Sequence, residues 1–237
     1  MTNKILDLLY PPRCYVCDRV LPYGDGGVCR VCKEAGLPGR LRKPLCSWCG
    51  KSIENARAEY CYDCKSSGHT FTAGRAVFAY RGMEDAMHRF KNENRRCYAD
   101  LFALEMAGVL REYLHKWKPD IIVPIPIHPG KRRRRGYNQA ELLSRRLSEL
   151  TGIPENHKGL VRKKYTLAQK ELDDRQRKNN LQDAFRVTEP ELFSGRAVLL
   201  LDDIYTTGST IDAAAVCLKD AGARDVYCIT VCIGKGY

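Results

Sequence analysis

What this sequence lacks narrows it first. No apolar run approaches the roughly 18 to 20 residues that a membrane-crossing helix requires, so no membrane span is expected. The opening residues, MTNKILDLLYPPRC, carry one lysine and a short apolar run interrupted by Asp7, without a small-residue cleavage site. No signal peptide is expected, and a cytoplasmic protein is. The G-x-G-x-x-G triplet is absent, so there is no dinucleotide fingerprint. Acidic residues are in deficit, 28 against 40 lysines and arginines, for a net charge of +12. Such a field favours a phosphorylated or polyanionic partner.

What is present is a chain of 237 residues, 44% hydrophobic and 29% charged, long enough for one sizeable α/β domain and a small module. The positive excess is spread over both parts, +4 up to residue 70 and +8 beyond it. It is densest at Lys131, Arg132, Arg133, Arg134 and Arg135, five cations with no anion between them. A solvated basic face and an anion-binding element both account for such a run.

Twelve cysteines without a secretory signal point to metal rather than disulfides. Cys14, Cys17, Cys29 and Cys32 form C-x2-C-x11-C-x2-C, and Cys46, Cys49, Cys61 and Cys64 repeat every interval 32 residues later. Two residues between thiolates let both reach one ion, and two such knuckles complete the closed tetrahedral shell of structural zinc. The duplication favours four consecutive cysteines per ion. A crossed set, with Cys29, Cys32, Cys46 and Cys49 on one ion and the outer four on the other, also satisfies the spacing. With all four positions filled, neither Zn2+ has an open coordination site for catalysis. Few aliphatic residues and many turn formers surround these cysteines, so metal ligation, about 10 to 16 kcal/mol per structural zinc, would supply the folding energy a core cannot. Cys97, Cys217, Cys228 and Cys232 have no ligand spacing and read as small core residues. The expected division is a double zinc ribbon over residues 1–70 and a larger domain over 71–237.

Beyond residue 72 strand and helix patterns alternate. Strands are expected at 76–80, 120–125, 160–161, 198–201 and 226–231. Helices are expected through Phe90 and Lys91, over 97–117 on a face of Leu101, Leu104, Ala107, Leu110 and Leu114, and on a face of Ala140, Leu143, Leu147 and Leu150. Others are expected around 173–181 and through Ile211, Ala214, Ala215 and Leu218, with Gly222 closing the last. This alternation predicts an α/β fold, a mainly parallel sheet with helices on both faces. Ligands of such sheets bind outside the carboxyl ends of the strands. That places PIHPG, the basic run and VLLLDDIYTTGST on one rim.

VLLLDDIYTTGST is an apolar strand running into two carboxylates and a hydroxyl-rich turn at a helix start. Free amides and the helix dipole converge there. Thr206, Thr207, Ser209 and Thr210 add hydroxyl donors, and Gly208 allows close backbone approach. It is not a Walker loop, since no Gly-Lys-Ser/Thr follows. A phosphate cradle preceded by carboxylates that accept from hydroxyl groups suits a ribose 5-phosphate.

The stretch resembles the 5-phosphoribosyl-1-pyrophosphate motif of type I phosphoribosyltransferases. PIPIHPGKRRRRGYNQAELL is similar to the matching segment of the ComF family of late-competence proteins, as is the order of paired ribbons followed by a transferase domain. RFK around Lys91 and Gln169, Leu172, Arg177, Asn180, Leu181, Ala184 and Phe185 extend the likeness over nearly the whole chain, with departures at Asp174 and Gln176. The resemblance implies a type I phosphoribosyltransferase fold, with Asp202 and Asp203 on the ribose hydroxyls and Thr206, Thr207, Gly208, Ser209 and Thr210 on the 5-phosphate. It assigns pyrophosphate to Pro126, Ile127, His128, Pro129 and Gly130, with Lys91 as a further candidate. A mobile basic loop of Lys131, Arg132, Arg133, Arg134, Arg135, Gly136, Tyr137 and Asn138 would close over the transition state, Arg135 among its catalytic groups. Mg2+ would bridge pyrophosphate and ribose oxygens. His128 reads more readily as a loop histidine than as an acid or base, and Lys91 equally as a surface lysine. The implied activity is transfer from, or binding of, 5-phosphoribosyl-1-pyrophosphate or ribose 5-phosphate. The implied setting is handling of transforming DNA beside a helicase or recombination-mediator partner. A non-enzymatic single-stranded DNA binder and a nucleobase-salvage transferase are the alternatives.

Overall fold

The computed structural model describes residues 11–22, 27–162 and 184–234. The expected helix around 173–181, and Gln169, Leu172, Asp174, Gln176, Arg177, Asn180 and Leu181, lie outside the described residues.

Four wholly parallel strands form the main sheet: β1 (Ala73–Ala79), β2 (Ile121–Pro124), β5 (Ala197–Tyr205) and β6 (Asp225–Ile233), in the order β1-β6-β5-β2. The short strand expected at 160–161 exists as β3 (Leu160–Arg162) but does not join them. It pairs antiparallel with β4 (Phe185–Val187) in a separate two-stranded sheet. The central strands are apolar on both sides because both faces are covered. Along β5, Leu199 and Leu201 enter one core with Ile122, Ile229 and Val231. Val198 and Leu200 enter the other with Val123, Val226 and Cys228.

The first face is roofed by α3 (Glu84–Asn92), α4 (Tyr98–Arg111) and α7 (Gln139–Thr151). The single helix expected over 97–117 is two, because the chain turns after Arg111 and resumes as α5 (Leu114–Trp117). Its buried face also differs from expectation. Ala99, Phe102, Ala103, Met106 and Leu110 point inward, while Leu104 is 58% exposed. The aromatic and methionine side chains fill the space over the sheet, and Leu101 is diverted sideways, where a Cβ on Gly27 of the first ribbon would strike its methyls. Leu150, expected on the inner face of α7, is likewise 40% exposed. The second face carries α8 (Ser209–Asp220) and the β3 and β4 pair.

The cysteine-rich segment wraps the sheet edge. The first ribbon, with α1 (Arg30–Glu34), sends Tyr15 into the helix-roofed core against Phe78 and Phe102. The second, with α2 (Tyr62–Ser67), joins the opposite core. The chain between them and the start of the second ribbon run along the outer edge of β1, with Ala79 N donating to Gly39 O at 2.6 Å, Leu41 N to Val77 O at 3.3 Å and Gly74 N to Trp48 O at 2.5 Å. That edge of β1 is thereby partly covered. No helix among the described residues is long and apolar enough to cross a membrane.

Candidate functional site

The eight motif cysteines close into two groups of four consecutive residues, Cys14, Cys17, Cys29, Cys32 and Cys46, Cys49, Cys61, Cys64, each with its sulfurs within 4.8 Å of one another. The sequential assignment therefore holds and the crossed one does not. Sulfur separations of 3.7 Å between Cys17 and Cys29 and between Cys49 and Cys61 match the edge, about 3.8 Å, of a tetrahedron with zinc–sulfur bonds of about 2.3 Å. Both sets fit Zn2+ in a structural role. Of the other cysteines, Cys228 and Cys232 are buried as expected, Cys217 is half-buried, and Cys97 is exposed at the start of α4 rather than in a core.

Strand β5 outruns β2 by four residues: Pro124 pairs Leu201, after which only β6 accompanies it, Asp202 opposite Thr230 and Tyr205 opposite Ile233. The aspartates thus lie inside the strand, not beyond it, and strand alternation sends them to opposite faces. They are not two free rim carboxylates. Asp203 is buried on the helical face, where Lys91 of α3 meets its Oδ1 at 3.0 Å. Asp202 turns to the other face, accepts from the Asp203 amide at 2.8 Å and lies in the field of Arg162 at the end of β3. Burial, with the Asp203 charge adding to it, pushes the Asp202 carboxyl up to about 7, against the pull of Lys91 and Arg162.

The cradle follows at once. Thr206, Thr207 and Ser209 are exposed, Thr210 is half-buried, and the Thr207 and Ser209 hydroxyls stand 2.9 Å apart. Gly208 adopts φ +85° and caps the twelve-residue α8, whose first amide, Ser209 N, donates to the Thr207 hydroxyl at 3.5 Å, so the hydroxyl pair and the helix start lie together. A Cβ on Gly208 would strike the Tyr205 hydroxyl and the His69 ring.

The segment after β2 is largely helical. Pro126, Ile127 and His128 are half-buried, and the basic run is a helix, α6 (Pro129–Arg135). Pro129 at its first position and Gly136 at φ +77° after its end delimit it. His128 caps this helix, its Nδ1 accepting from Gly130 N at 3.1 Å. Tyr137 and Asn138 are buried: the Tyr137 hydroxyl donates to Phe90 O at 2.5 Å, and Asn138 donates to Ile125 O at 3.0 Å while capping α7. Arg132 pairs with Glu141, and Arg135 donates to Gln139 at 3.1 Å. Arg133 and Arg134 are exposed, with no ion-pair partner among the described residues. Desolvation, then Arg135, Arg162 and Lys91, lowers the pKa of Lys131, which also feels Asp203. Three cations from three elements, Lys91 of α3, Lys131 of α6 and Arg162 of β3, therefore act on one carboxylate pair, an arrangement suited to phosphoryl oxygens.

Arg162, His69, Tyr205 and Asp212 belong to this neighbourhood and were missed in the sequence. His69, Arg162 and Asp212 stand alone there, without a spacing partner, and Tyr205 sits inside VLLLDDIYTTGST with nothing local to mark a role of its own.

The family model described as "Double zinc ribbon domain" matches residues 5–65, and that described as "Phosphoribosyl transferase domain" matches residues 99–236. The chain is 30% identical over 221 residues to Competence protein F of Haemophilus influenzae, covering 90% of this chain and 93% of that one. It is 31% identical over 231 residues to the DNA utilization protein YhgH of Escherichia coli K12, covering 94% and 98%. To Competence protein ComFC of Streptococcus pneumoniae it is 30% identical over 200 residues, covering 77% and 84%.

Proposed function

The chain belongs to the ComF family of competence proteins, and on that premise we propose that it binds 5-phosphoribosyl-1-pyrophosphate or ribose 5-phosphate at the end of β5. The observation that carries this reading is the continuity of three features in nine residues: Asp202 and Asp203, the hydroxyl-lined turn, and the start of α8. Phosphate would take the amides and hydroxyls of residues 206–210. The ribose hydroxyls would donate to the carboxylates. Lys91, Lys131 and Arg162 would meet the remaining negative charge, acting most strongly where it accumulates as pyrophosphate departs. The donor set suits magnesium, since Asp202 and Asp203 offer hard carboxylate oxygens. When bound, Mg2+ would neutralise the pyrophosphate oxygens. Residues 126–130, between β2 and α6, would flank the same anion.

Titration calorimetry with each ligand and Mg2+ tests this. The Asp202→Ala, Asp203→Ala double variant should bind about 100-fold more weakly or worse. Undetectable binding by the intact, zinc-loaded wild type would sink the proposal. Pyrophosphate release across a panel of bases then separates a transferase from a binder.

A second reading, single-stranded DNA binding, is favoured by Arg133 and Arg134 of α6, exposed and without an ion-pair partner among the described residues. It requires a negative log-log salt slope that flattens by about two in the Arg133→Ala, Arg134→Ala variant.

A further inference from the structure

One imidazole lies between the second ribbon and the phosphate cradle, outside the pattern of either. His69 follows Cys64 by five residues, and its side chain is 2% exposed. Nδ1 donates to Oδ2 of Asp212 at 2.7 Å, and the next amide, Thr70 N, donates to Oδ1 of the same carboxylate at 2.7 Å. With Nδ1 carrying the proton, Nε2 accepts, and the Tyr205 hydroxyl donates to it at 3.2 Å. Nε2 also stands 3.4 Å from Sγ of Cys64, a ligand of the second metal site. The ring is fixed from its faces as well, stacked on Phe71 at 4.6 Å with Trp48 edge-on at 5.3 Å.

These contacts bracket the cradle. Tyr205 ends β5 immediately before it, Asp212 lies in the first turn of α8 immediately after it, and Gly208 rests against both Tyr205 and His69. Among the described residues no comparable hydrogen-bond chain ties the first ribbon to the cradle. That ribbon's hydrogen bonds to Arg89 of α3, Arg95 between α3 and α4, and Tyr98 of α4 lie on the opposite face.

We propose that His69 is a positioning residue joining the second zinc site to the phosphate cradle. Zinc on Cys46, Cys49, Cys61 and Cys64 and a phosphoryl group on residues 206–210 then bind with positive linkage. This rests on the phosphate reading above. Zinc holds the Cys64 knuckle, the knuckle holds the imidazole, and the imidazole holds both ends of the cradle. Outer-sphere partners of metal ligands commonly change metal affinity by about 10- to 100-fold, and linkage requires that the cradle's ligand act back on the metal by the same factor.

The test uses the full, zinc-loaded chain. Hydrogen exchange of residues 206–212 should accelerate about 10-fold when the second zinc is lost through Cys49→Ser, and should not change when the first is lost through Cys17→Ser. Saturating ribose 5-phosphate should slow release of one of the two zinc ions to a chelator by about 5-fold or more. His69→Phe keeps the stacking but removes both hydrogen bonds, and should abolish both responses. Should that variant not fold, His69→Asn decides. It keeps a donor toward Asp212 but reaches neither Cys64 nor Tyr205, so exchange at 206–212 should cease to follow zinc. Exchange that ignores the second zinc, or that follows it unchanged in the folded His69 variant, overturns the proposal. Failure of wild type to bind ribose 5-phosphate overturns the proposed function instead, and the exchange arm, which needs no ligand, still decides whether zinc and cradle are coupled.

Discussion

Asp202 and Asp203 are neighbours in sequence with different surroundings, and each leads to a measurable consequence. The Asp202 carboxyl is raised to about 7, chiefly by burial, against an unfolded value near 4. The folded state therefore binds this proton more tightly, so its contribution to stability is full below the unfolded pKa and is lost as pH rises through about 7. Ligand binding runs the other way, since Mg2+ and hydroxyl donors favour the ionised form. Binding near pH 6 should release up to one proton and should tighten as pH rises from 5.5 to 7.5; calorimetry in buffers of different ionisation enthalpy reads both, and Asp202→Asn should remove them. Asp203 instead depends on Lys91. Lys91→Met leaves a buried carboxylate unpaired and should cost about 2 kcal/mol in urea unfolding, with Asp203→Asn in the same background recovering most of it.

At the scale of elements, the helix starts around the site are set by single residues. Gly208 combines a left-handed φ of +85° with contact against Tyr205 and His69. Gly208→Ala should cost about 1 to 2 kcal/mol from conformation alone and should weaken phosphate binding more than it lowers stability. Asn138 caps α7 and also donates to Ile125 O just after β2, so it fixes the segment between them from both ends. Asn138→Ala should lose about 1 to 2 kcal/mol, read as a lowered urea midpoint. The basic run was legible as charge but not as a helix, because five adjacent cations carry no apolar periodicity. Its boundaries come from His128, Pro129 and Gly136, whose capping roles emerge only once the chain is folded. Leucine spacing misplaced the inner face of α4, since Phe102 and Met106 outbid it for the space over the sheet and Leu101 serves the first ribbon.

Across the molecule the two zinc ribbons are unequal despite their identical spacing. All four cysteines of the second are buried in the core that carries α8, whereas Cys17 of the first is exposed. Removing the second zinc opens a shared core, and removing the first frees a docked flap. Cys49→Ser should therefore lower the melting temperature more than Cys17→Ser, with metal analysis giving two zinc ions per wild-type chain and one in each variant. Because the segment between the ribbons pairs with the edge of β1, loss of both ions should also bare that edge and promote association, visible by light scattering.

The sequence by itself determined the features whose partners are close along the chain. The repeated cysteine knuckles, the alternation of strand and helix and the strand, carboxylates and turn of VLLLDDIYTTGST are local patterns, set by ligand bite, backbone period and helix-end chemistry. Only the tertiary structure decided that the ribbons clasp opposite faces of one sheet, that Lys91 belongs to Asp203, and that His69 reaches Asp212 across 143 residues. Those pairings depend on where distant segments pack once both sheet faces are covered, and no periodicity within any one segment encodes that.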